Sequence, residues 1–182
     1  MNYQRCPNND HLCLLTSFAM VLDVPAETLL EQIGDQWKTL AFPDLPVPSC
    51  WRGIHIQELI LIALRLGYAV TPVELMPQTT PPQAINPKTR VAYQNVVVFH
   101  GANESTNWDI FRNVVMTCRG VLTGIKTRPP TRFQCGHAVA FEKGVIFDPS
   151  SEVYMYSVQQ CEARRFYANY AWRFDRIEVL NE

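Results

Sequence analysis

The sequence lacks an excess of charge of either sign. It carries 16 basic and 17 acidic side chains in 182 residues, for a formal net charge of -1. The basic residues do not cluster either, and Arg164 and Arg165 form an isolated pair. Proteins that bind nucleic acid neutralise its phosphates with a basic stripe or patch. We therefore expect no nucleic-acid partner.

Long apolar runs are missing as well. The longest apolar stretch covers residues 54–66 and is interrupted by His55, Gln57, Glu58 and Arg65. A membrane-spanning helix needs about 20 mostly apolar residues, so no membrane contact is predicted. The N-terminal stretch MNYQRCPNNDHLC is polar and does not match the apolar core of a signal peptide. We expect a cytoplasmic protein, or one delivered without a classical signal peptide.

Cysteine is too sparse for a disulfide-stapled secreted domain. The six cysteines are Cys6, Cys13, Cys50, Cys118, Cys135 and Cys161. Small secreted domains that depend on disulfides carry a much higher density of cysteines. In the absence of a secretion signal we expect reduced thiols, which leaves room for a reactive cysteine.

The hydrophobic content is sufficient for one buried core. Hydrophobic residues make up 47% of the 182 residues, which suits a single domain. Periodicity and turn residues predict helices at 12–22, 26–33, 54–66 and 108–118. Strands are predicted at 68–75, 95–99, 120–125, 137–142, 145–147, 153–158 and 171–179.

The order of these elements predicts the fold class. Helices dominate the first part of the chain and strands the second, without regular alternation, which favours an α+β fold with an antiparallel sheet. We expect one domain, residues 1–182, with a helical lobe at about 8–67 and a sheet lobe at about 68–180. The Pro-rich segments 76–87 and 128–133 are expected to be loops at the rim of the cleft between the lobes.

The segment GHAVAFEKGVIFDPS, residues 136–150, predicts a β-hairpin that carries chemistry. Lys143-Gly144 provides the turn, so His137 heads one strand and Asp148 ends the next. A structural hairpin requires neither an imidazole nor a carboxylate at these places. The structural alternatives are a strand-end histidine that makes one hydrogen bond and the ordinary turn chemistry of an Asp-Pro pair.

Cys13 stands at the N-terminus of the predicted helix 12–22. Unpaired N–H groups and the helix dipole favour a thiolate there, which predicts a lowered thiol pKa, and they can also bind an oxyanion. An imidazole would take the thiol proton, and a carboxylate would hold the imidazole in the required tautomer. The alternative is a buried core cysteine without reactivity.

In the order Cys13, His137, Asp148 the chain resembles the papain-like cysteine peptidases, and in particular the bacteriocin-processing (double-glycine leader) peptidases. Three segments carry the resemblance, namely NNDHLCLLTSFAMVLDVPAETLLEQIG, GIHIQELILIALRLGYAV and GHAVAFEKGVIFDPS. It implies a papain-like fold in which a helical lobe packs on an antiparallel sheet. It also implies Cys13 as nucleophile, His137 as general base and acid, and Asp148 as the orienting residue, with no metal or other cofactor.

Two positions depart from the pattern of that family. Pro7 stands six residues before the cysteine, where the family has a glutamine that stabilises the oxyanion. Leu14 follows the cysteine where the family often has glycine. Asn8 and Asn9 are the nearest amides that could replace the glutamine, and Gln4 lies further out. Asn8 and Asn9 are equally good as helix caps.

The expected activity is hydrolysis of a peptide or isopeptide bond in a peptide or protein substrate, through a thioester at Cys13. One alternative is a thiol amidase or transpeptidase that acts on a small peptide amide. Another is a catalytically inactive papain-like domain that only binds its partner. A chain of this size without an ATPase or membrane segment would suit an effector, a phage-encoded protein or a host-modifying enzyme.

A zinc module is the remaining alternative. Five side chains in two groups could ligate zinc, namely Cys6, His11, Cys13, Cys135 and His137. Structural zinc sites are typically built from two pairs of ligands, with two to four residues between paired cysteines. Neither group has this spacing, so the zinc module ranks below the thiol hydrolase.

Overall fold

The structure is a computed structural model, which describes residues 1–6, 12–33, 56–74, 104–128, 133–150 and 152–178. Several sequence predictions lie outside the described residues. These are the strand at 95–99, the loop at 76–87, most of the loop at 128–133, and the candidate oxyanion amides Asn8 and Asn9.

Three helices come before the first strand in the described residues. They are α1 (Cys13–Leu22), α2 (Ala26–Ile33) and α3 (Ile56–Arg65), close to their predicted positions. Almost every side chain of α1 is buried, as expected of a helix that is apolar all round. It ends at Asp23, whose left-handed backbone (φ 55°) turns the Val24 N–H back to the Ala19 carbonyl at 3.0 Å.

The rest of the described chain is mainly strand. The strands are β1 (Tyr68–Glu74), β2 (Arg119–Arg128), β3 (Phe133–Glu142), β4 (Val145–Phe147), β5 (Val153–Met155) and β6 (Phe166–Arg176). Two helices lie among them, α4 (Glu104–Thr117) and α5 (Val158–Ala163). The strands form one sheet in the order β1-β6-β2-β3-β4-β5, and every neighbouring pair is antiparallel.

The sheet buries both of its faces. On one face, α1, α2 and α3 share a core with Val121, Ala138 and Ala140. On the other face, α4 packs on a core that includes Val139 and Phe141. Successive residues of β3 therefore serve the two cores in turn, as the period of a strand requires. This arrangement confirms the predicted α+β class with an antiparallel sheet.

The β3–β4 hairpin forms as predicted from Lys143-Gly144. Both residues have positive φ, 47° at Lys143 and 81° at Gly144, which is the backbone of the tight turn that suits two twisted antiparallel strands. Glycine reaches this conformation without strain from a side chain. The turn sets the register in which Ala140 opposes Phe147, and so the residue after β4, Asp148, comes close to the middle of β3.

Two predictions in the last third of the chain were wrong in detail. The strand predicted at 153–158 stops at Met155, and a short helix, α5, follows it. Ser157 caps this helix by accepting a hydrogen bond from the Gln160 N–H at 3.1 Å. The strand predicted from 171 starts at Phe166.

Taken singly, none of the helices in the described ranges is long and apolar enough to span a membrane. Among the described helices, α1 and α2 taken together reach the required length and composition, and they are bent by 113° relative to each other.

Candidate active site

Asp148 follows β4 directly, and its carboxylate is completely buried. The Oδ1 atom accepts the Ser150 N–H at 2.9 Å and the Ser150 hydroxyl at 2.7 Å. This is an Asx turn, in which an aspartate side chain binds the backbone two residues further on. The Asp-Pro-Ser sequence therefore forms the predicted turn, and the turn fixes the carboxylate in the interior.

His137 lies on β3 beside this carboxylate. Its Nε2 atom is 3.0 Å from Asp148 Oδ1, and both side chains are buried. The edge of the ring packs against Phe166, with the two ring centroids 5.5 Å apart and the planes at 83°. The hairpin thus brings together the imidazole and the carboxylate, eleven residues apart along the chain.

A third polar side chain joins this pair from β2. The Lys126 ammonium lies 3.1 Å from Asp148 Oδ2 and 2.7 Å from the Ser150 hydroxyl. It is also 3.5 Å from His137 Nε2. In the ladder Gly124 opposes His137, so Lys126 is the diagonal neighbour of the histidine on the same face of the sheet.

The surroundings of Asp148 decide its charge. Burial acts to raise the pKa of its carboxyl. The hydrogen bond and charge of His137, the Lys126 ammonium and the Ser150 hydrogen bond outweigh that effect and hold the pKa well below its usual range. Asp148 is therefore ionised, and a favourable contact with it requires His137 to carry a proton on Nε2. The other ring nitrogen, Nδ1, is then the one that can accept a proton.

Cys13 is the first residue of α1, which packs on β3. Its side chain is only 8% exposed. Burial raises the pKa of the thiol to about 11, although the backbone groups of Ala138 and Leu14 act to lower it. The prediction that the helix N-terminus lowers this pKa was wrong, because desolvation of a buried thiolate outweighs the nearby backbone groups.

The structure brings His137 and Asp148 into contact but leaves Cys13 outside their hydrogen bonds. The backbone of Ala138 influences the Cys13 sulfur, so the thiol lies beside the strand residue that follows His137. No hydrogen bond between the Cys13 thiol and the His137 ring is present in the described part of the chain. The predicted set of three thus consists of a bonded pair on one face of the sheet, where His137 contacts Phe166, and a thiol in the core on the other face, where Cys13 packs with Ala138.

The N-terminal segment, residues 1–6, is attached to the same region. The Tyr3 hydroxyl donates to the Asp148 carbonyl at 3.2 Å, and the Cys6 N–H donates to the Pro149 carbonyl at 2.8 Å. Gln4 uses its amide elsewhere, as donor to the Val24 carbonyl at 2.7 Å and as acceptor from the Ala26 N–H at 2.9 Å. Gln4 therefore holds the α1–α2 junction and does not serve as an oxyanion donor in this arrangement.

The structure describes the side chains of three of the five candidate zinc ligands, namely Cys6, Cys13 and His137. The described residues contain no group of three His, Cys, Asp or Glu side chains that could hold a metal ion. Two of the five candidate ligands, His11 and the Cys135 side chain, lie outside the described set.

Sequence reasoning missed two residues of this site, Lys126 and Ser150. Each had a local signal. Lys126 is a lone charge in the otherwise uncharged stretch GVLTGIK, two residues after the glycine that opposes His137. Ser150 stands two positions after Asp148, where the hydrogen bond of an Asx turn ends.

No family model matches the chain, and no curated protein matches it.

Proposed function

We propose that the protein is a papain-like thiol hydrolase that cleaves a peptide or isopeptide bond through a thioester at Cys13. The observation that supports this most is the buried contact of 3.0 Å between His137 Nε2 and Asp148 Oδ1. This contact lies on the strand that packs against the helix beginning at Cys13. A histidine fixed by an ionised carboxylate is the general base that a thiol nucleophile needs.

In the proposed reaction, His137 Nδ1 takes the thiol proton as Cys13 Sγ attacks the carbonyl carbon of the scissile bond. The resulting imidazolium then gives that proton to the amine nitrogen as the carbon–nitrogen bond breaks, which leaves a thioester on Cys13. Water attacks the thioester, His137 accepts a proton from the water and returns it to the sulfur, and the acid product leaves. Asp148 stays ionised throughout and stabilises the imidazolium.

This reaction requires the Cys13 thiol and His137 Nδ1 to come within hydrogen-bonding distance when substrate is bound. In the structure Cys13 lies in the core on the α1 face of the sheet, whereas His137 lies on the other face, with Val139 and Phe166. The reaction therefore also requires Cys13 or the start of β3 to change position. The raised pKa of Cys13, to about 11, means that the resting nucleophile is a thiol. His137 must therefore act as a base during attack, because a preformed thiolate is not available.

The test is labelling with a peptide electrophile that reacts only after base-assisted attack, such as a peptidyl acyloxymethyl ketone, followed by mass spectrometry of each cysteine peptide. We expect labelling of Cys13 that falls at least 100-fold in His137→Ala, the usual scale of general-base catalysis. Cys161 is the matched control, since it too is buried and burial raises its pKa to about 11. Equal labelling of Cys13 and Cys161, without dependence on His137, would refute the proposal.

Substrate class needs a separate experiment. Fluorogenic peptide, isopeptide and muropeptide libraries would be compared in the wild-type protein and in Cys13→Ser. We expect turnover of peptide or isopeptide bonds by the wild-type protein alone, and a thioester adduct on Cys13 in acid-quenched samples. Turnover confined to small muropeptide amides would favour the amidase or transpeptidase instead.

The burial of Cys13 favours a second candidate, a catalytically inactive papain-like binding domain. A thiol that is 8% exposed and has a pKa of about 11 has the properties of a core cysteine. In that case His137 and Asp148 serve the stability of the hairpin alone. Loss of stability in Asp148→Ala with no electrophile labelling at Cys13 in the wild-type protein would support this second candidate.

A further inference from the structure

Cys6 and Cys13 share the core on the α1 face of the sheet. Cys13 is buried in the cluster that α1 forms with β3, and the half-buried Cys6 packs against the same cluster. Both thiols are reduced in the structure. His137 lies on the other face of the sheet, where its ring packs against Phe166. The chemistry that these two sulfurs can perform together therefore does not involve the imidazole.

Ala138 and Pro149 lie side by side beyond the paired part of the β3–β4 hairpin. The register of the ladder, continued by two residues from its last pair, places these two residues opposite each other. The residues just before them in the chain, His137 and Asp148, are in contact at 3.0 Å. This contact shows that the two chain segments stay close together beyond the last pair of the ladder.

Each cysteine is attached to one of these two neighbouring residues. The Cys6 N–H donates to the Pro149 carbonyl at 2.8 Å, and the Cys13 thiol lies beside the backbone of Ala138. A negative charge on Cys6 also acts to raise the pKa of the Cys13 thiol, and such an effect weakens with distance. The two sulfurs therefore lie close to each other, although six residues separate the cysteines along the chain.

We propose that Cys6 and Cys13 are a redox pair, which a low-molecular-weight disulfide such as oxidised glutathione converts to an intramolecular disulfide. The two Cβ atoms come within about 3.5–4.5 Å of each other when such a bond forms. The inference goes beyond the proposed function, because the bond requires neither a substrate nor a general base from the site on the other face.

The half-buried Cys6 is the thiol that meets the oxidant first. Its sulfur attacks one sulfur of oxidised glutathione, the disulfide of the oxidant breaks, and one glutathione leaves as a thiol. The Cys13 sulfur then attacks the Cys6 sulfur of the mixed disulfide and displaces the second glutathione. Two electrons pass from the protein to the oxidant, and the two cysteine protons leave on the two glutathione thiols. Cys13 thus acts as the resolving cysteine of the pair.

The bond would change what Cys13 can do. In the proposed hydrolase it would prevent formation of the thioester until a reductant restores the thiol. In a domain that only binds a partner it would tie the N-terminal segment, residues 1–6, to the start of α1. Both effects are reversible, since an excess of reduced glutathione runs the same exchange backwards.

The test brings the purified full chain to equilibrium with mixtures of reduced and oxidised glutathione, followed by acid quench and alkylation of the remaining thiols. Trypsin leaves both cysteines in one peptide, residues 6–38, and cleavage before Asp10 then separates them unless they are bonded. Mass spectrometry of the linked fragments gives the equilibrium constant of the bond. We expect this constant to be about tenfold larger, or more, in the folded protein than in concentrated urea, because the fold raises the effective concentration of one thiol at the other.

Cys118 and Cys161 are matched controls in the same samples. Cys118 is half-buried like Cys6, and Cys161 is buried like Cys13, with a pKa that burial raises to the same value, about 11. We expect neither control to form a bond with Cys6 or Cys13 in the folded protein. Such mixed pairs in the same yield as the Cys6–Cys13 bond would contradict a specific redox pair.

Two further results would overturn the proposal. One is an equal equilibrium constant in the folded protein and in urea. The other is a Cys6 that keeps glutathione while Cys13 remains a thiol, and Cys13→Ser provides the reference spectrum for that state. Labelling of the reduced protein with the peptide electrophile separates this inference from the proposed function. If the bond forms but Cys13 is not labelled, the redox pair stands and the hydrolase fails; if Cys13 is labelled but no bond forms, the redox pair is refuted.

Discussion

Gly124 lies directly opposite His137 in the β2–β3 ladder, and the backbone of β6 occupies the space where a side chain at position 124 would stand. A Cβ atom at Gly124 would lie 1.9 Å from the Tyr167 carbonyl oxygen. The register between β2 and β6 shifts between Thr123 and Gly124. The close approach of two backbones therefore occurs at the residue that faces the histidine, and two residues before the lysine that contacts it.

The first prediction concerns this close approach. Gly124→Ala should lower the free energy of unfolding by about 2–3 kcal/mol, because a backbone carbonyl has to move to make room for the methyl group. Gly136→Ala is the matched control, since a Cβ there meets nothing within 4 Å and alanine reduces the freedom of the unfolded chain. Urea unfolding of both variants measures the difference. Equal stability of the two variants would mean that β2 and β6 do not approach so closely.

The second prediction is a dependence of stability on acid that comes from Asp148. Its folded-state pKa lies below the ordinary 3.8. The stabilisation that the ionised Asp148 gives the folded protein is therefore complete above about pH 4. It is lost as the pH falls towards the folded-state pKa of this carboxyl. Asp148→Asn should be less stable than the wild-type protein by about 3 kcal/mol at pH 7, because it leaves the buried contacts of Lys126 and His137 without an anion.

The difference in unfolding free energy between the wild-type protein and Asp148→Asn should shrink as the pH falls below 4. The wild-type protein then loses the carboxylate charge that the variant lacks. Carboxylates elsewhere in the chain affect both proteins equally and cancel. Urea unfolding at pH 3, 4, 5 and 7 gives this difference directly. A difference that stays constant from pH 3 to pH 7 would contradict an ionised Asp148 in the folded protein.

The sequence was sufficient to predict the hairpin and the pair that it positions. Lys143-Gly144 permits one tight turn, and the alternation of β3 and β4 then leaves one register in which His137 and Asp148 can meet. The α5 helix was missed because its signal is short: Ser157 caps it, and only six residues follow in helical form. A segment of that length matches a strand as well as a helix.

The charge state of Cys13 was not predictable from the sequence. The position of a residue at a helix N-terminus can be read from local patterns, and that position alone favours a thiolate. The depth of burial depends on how α1 packs against β3, which involves residues more than 100 positions away in the chain. Desolvation then exceeds the local effect and reverses the direction of the pKa shift. Lys126 was missed because its partners Asp148 and Ser150 follow the β3–β4 hairpin. The local pattern of β2 does not show that they come close.

The third prediction concerns the Cys13 thiol at high pH. Burial raises its folded-state pKa to about 11 from the ordinary 9.0. Its contribution to stability is therefore complete below pH 9 and is lost as the pH rises from 9 to 11. Two pKa units correspond to roughly 3 kcal/mol at most. Comparison of the wild-type protein with Cys13→Ala by urea unfolding cancels the other buried thiols and phenols.

We expect the stability difference between these two proteins to be constant from pH 7 to pH 9 and to move in favour of Cys13→Ala above pH 9. A change that is already complete below pH 7 would instead indicate a resting thiolate–imidazolium pair. It would contradict the neutral resting state that the burial of Cys13 implies.

The fourth prediction tests whether Gln4 has a structural role. Its amide donates to the Val24 carbonyl and accepts from the Ala26 N–H, so it ties the N-terminal segment to the start of α2. Gln4→Ala should cost about 1–3 kcal/mol, because a buried or half-buried donor and acceptor each lose their partner. Gln4→Glu keeps the acceptor for Ala26 but turns a second oxygen towards the Val24 carbonyl, and should therefore be destabilised as well.

Reactivity separates this role from that of an oxyanion donor. An oxyanion donor acts on the rate of attack and adds little to folding, and the loss of one typically lowers the rate by 100-fold or more. We expect Gln4→Ala to label at Cys13 with the peptide electrophile at a rate within about threefold of the wild-type rate, under conditions where both proteins are folded. A 100-fold slower reaction with unchanged stability would show that the amide leaves the α1–α2 junction to bind the oxyanion.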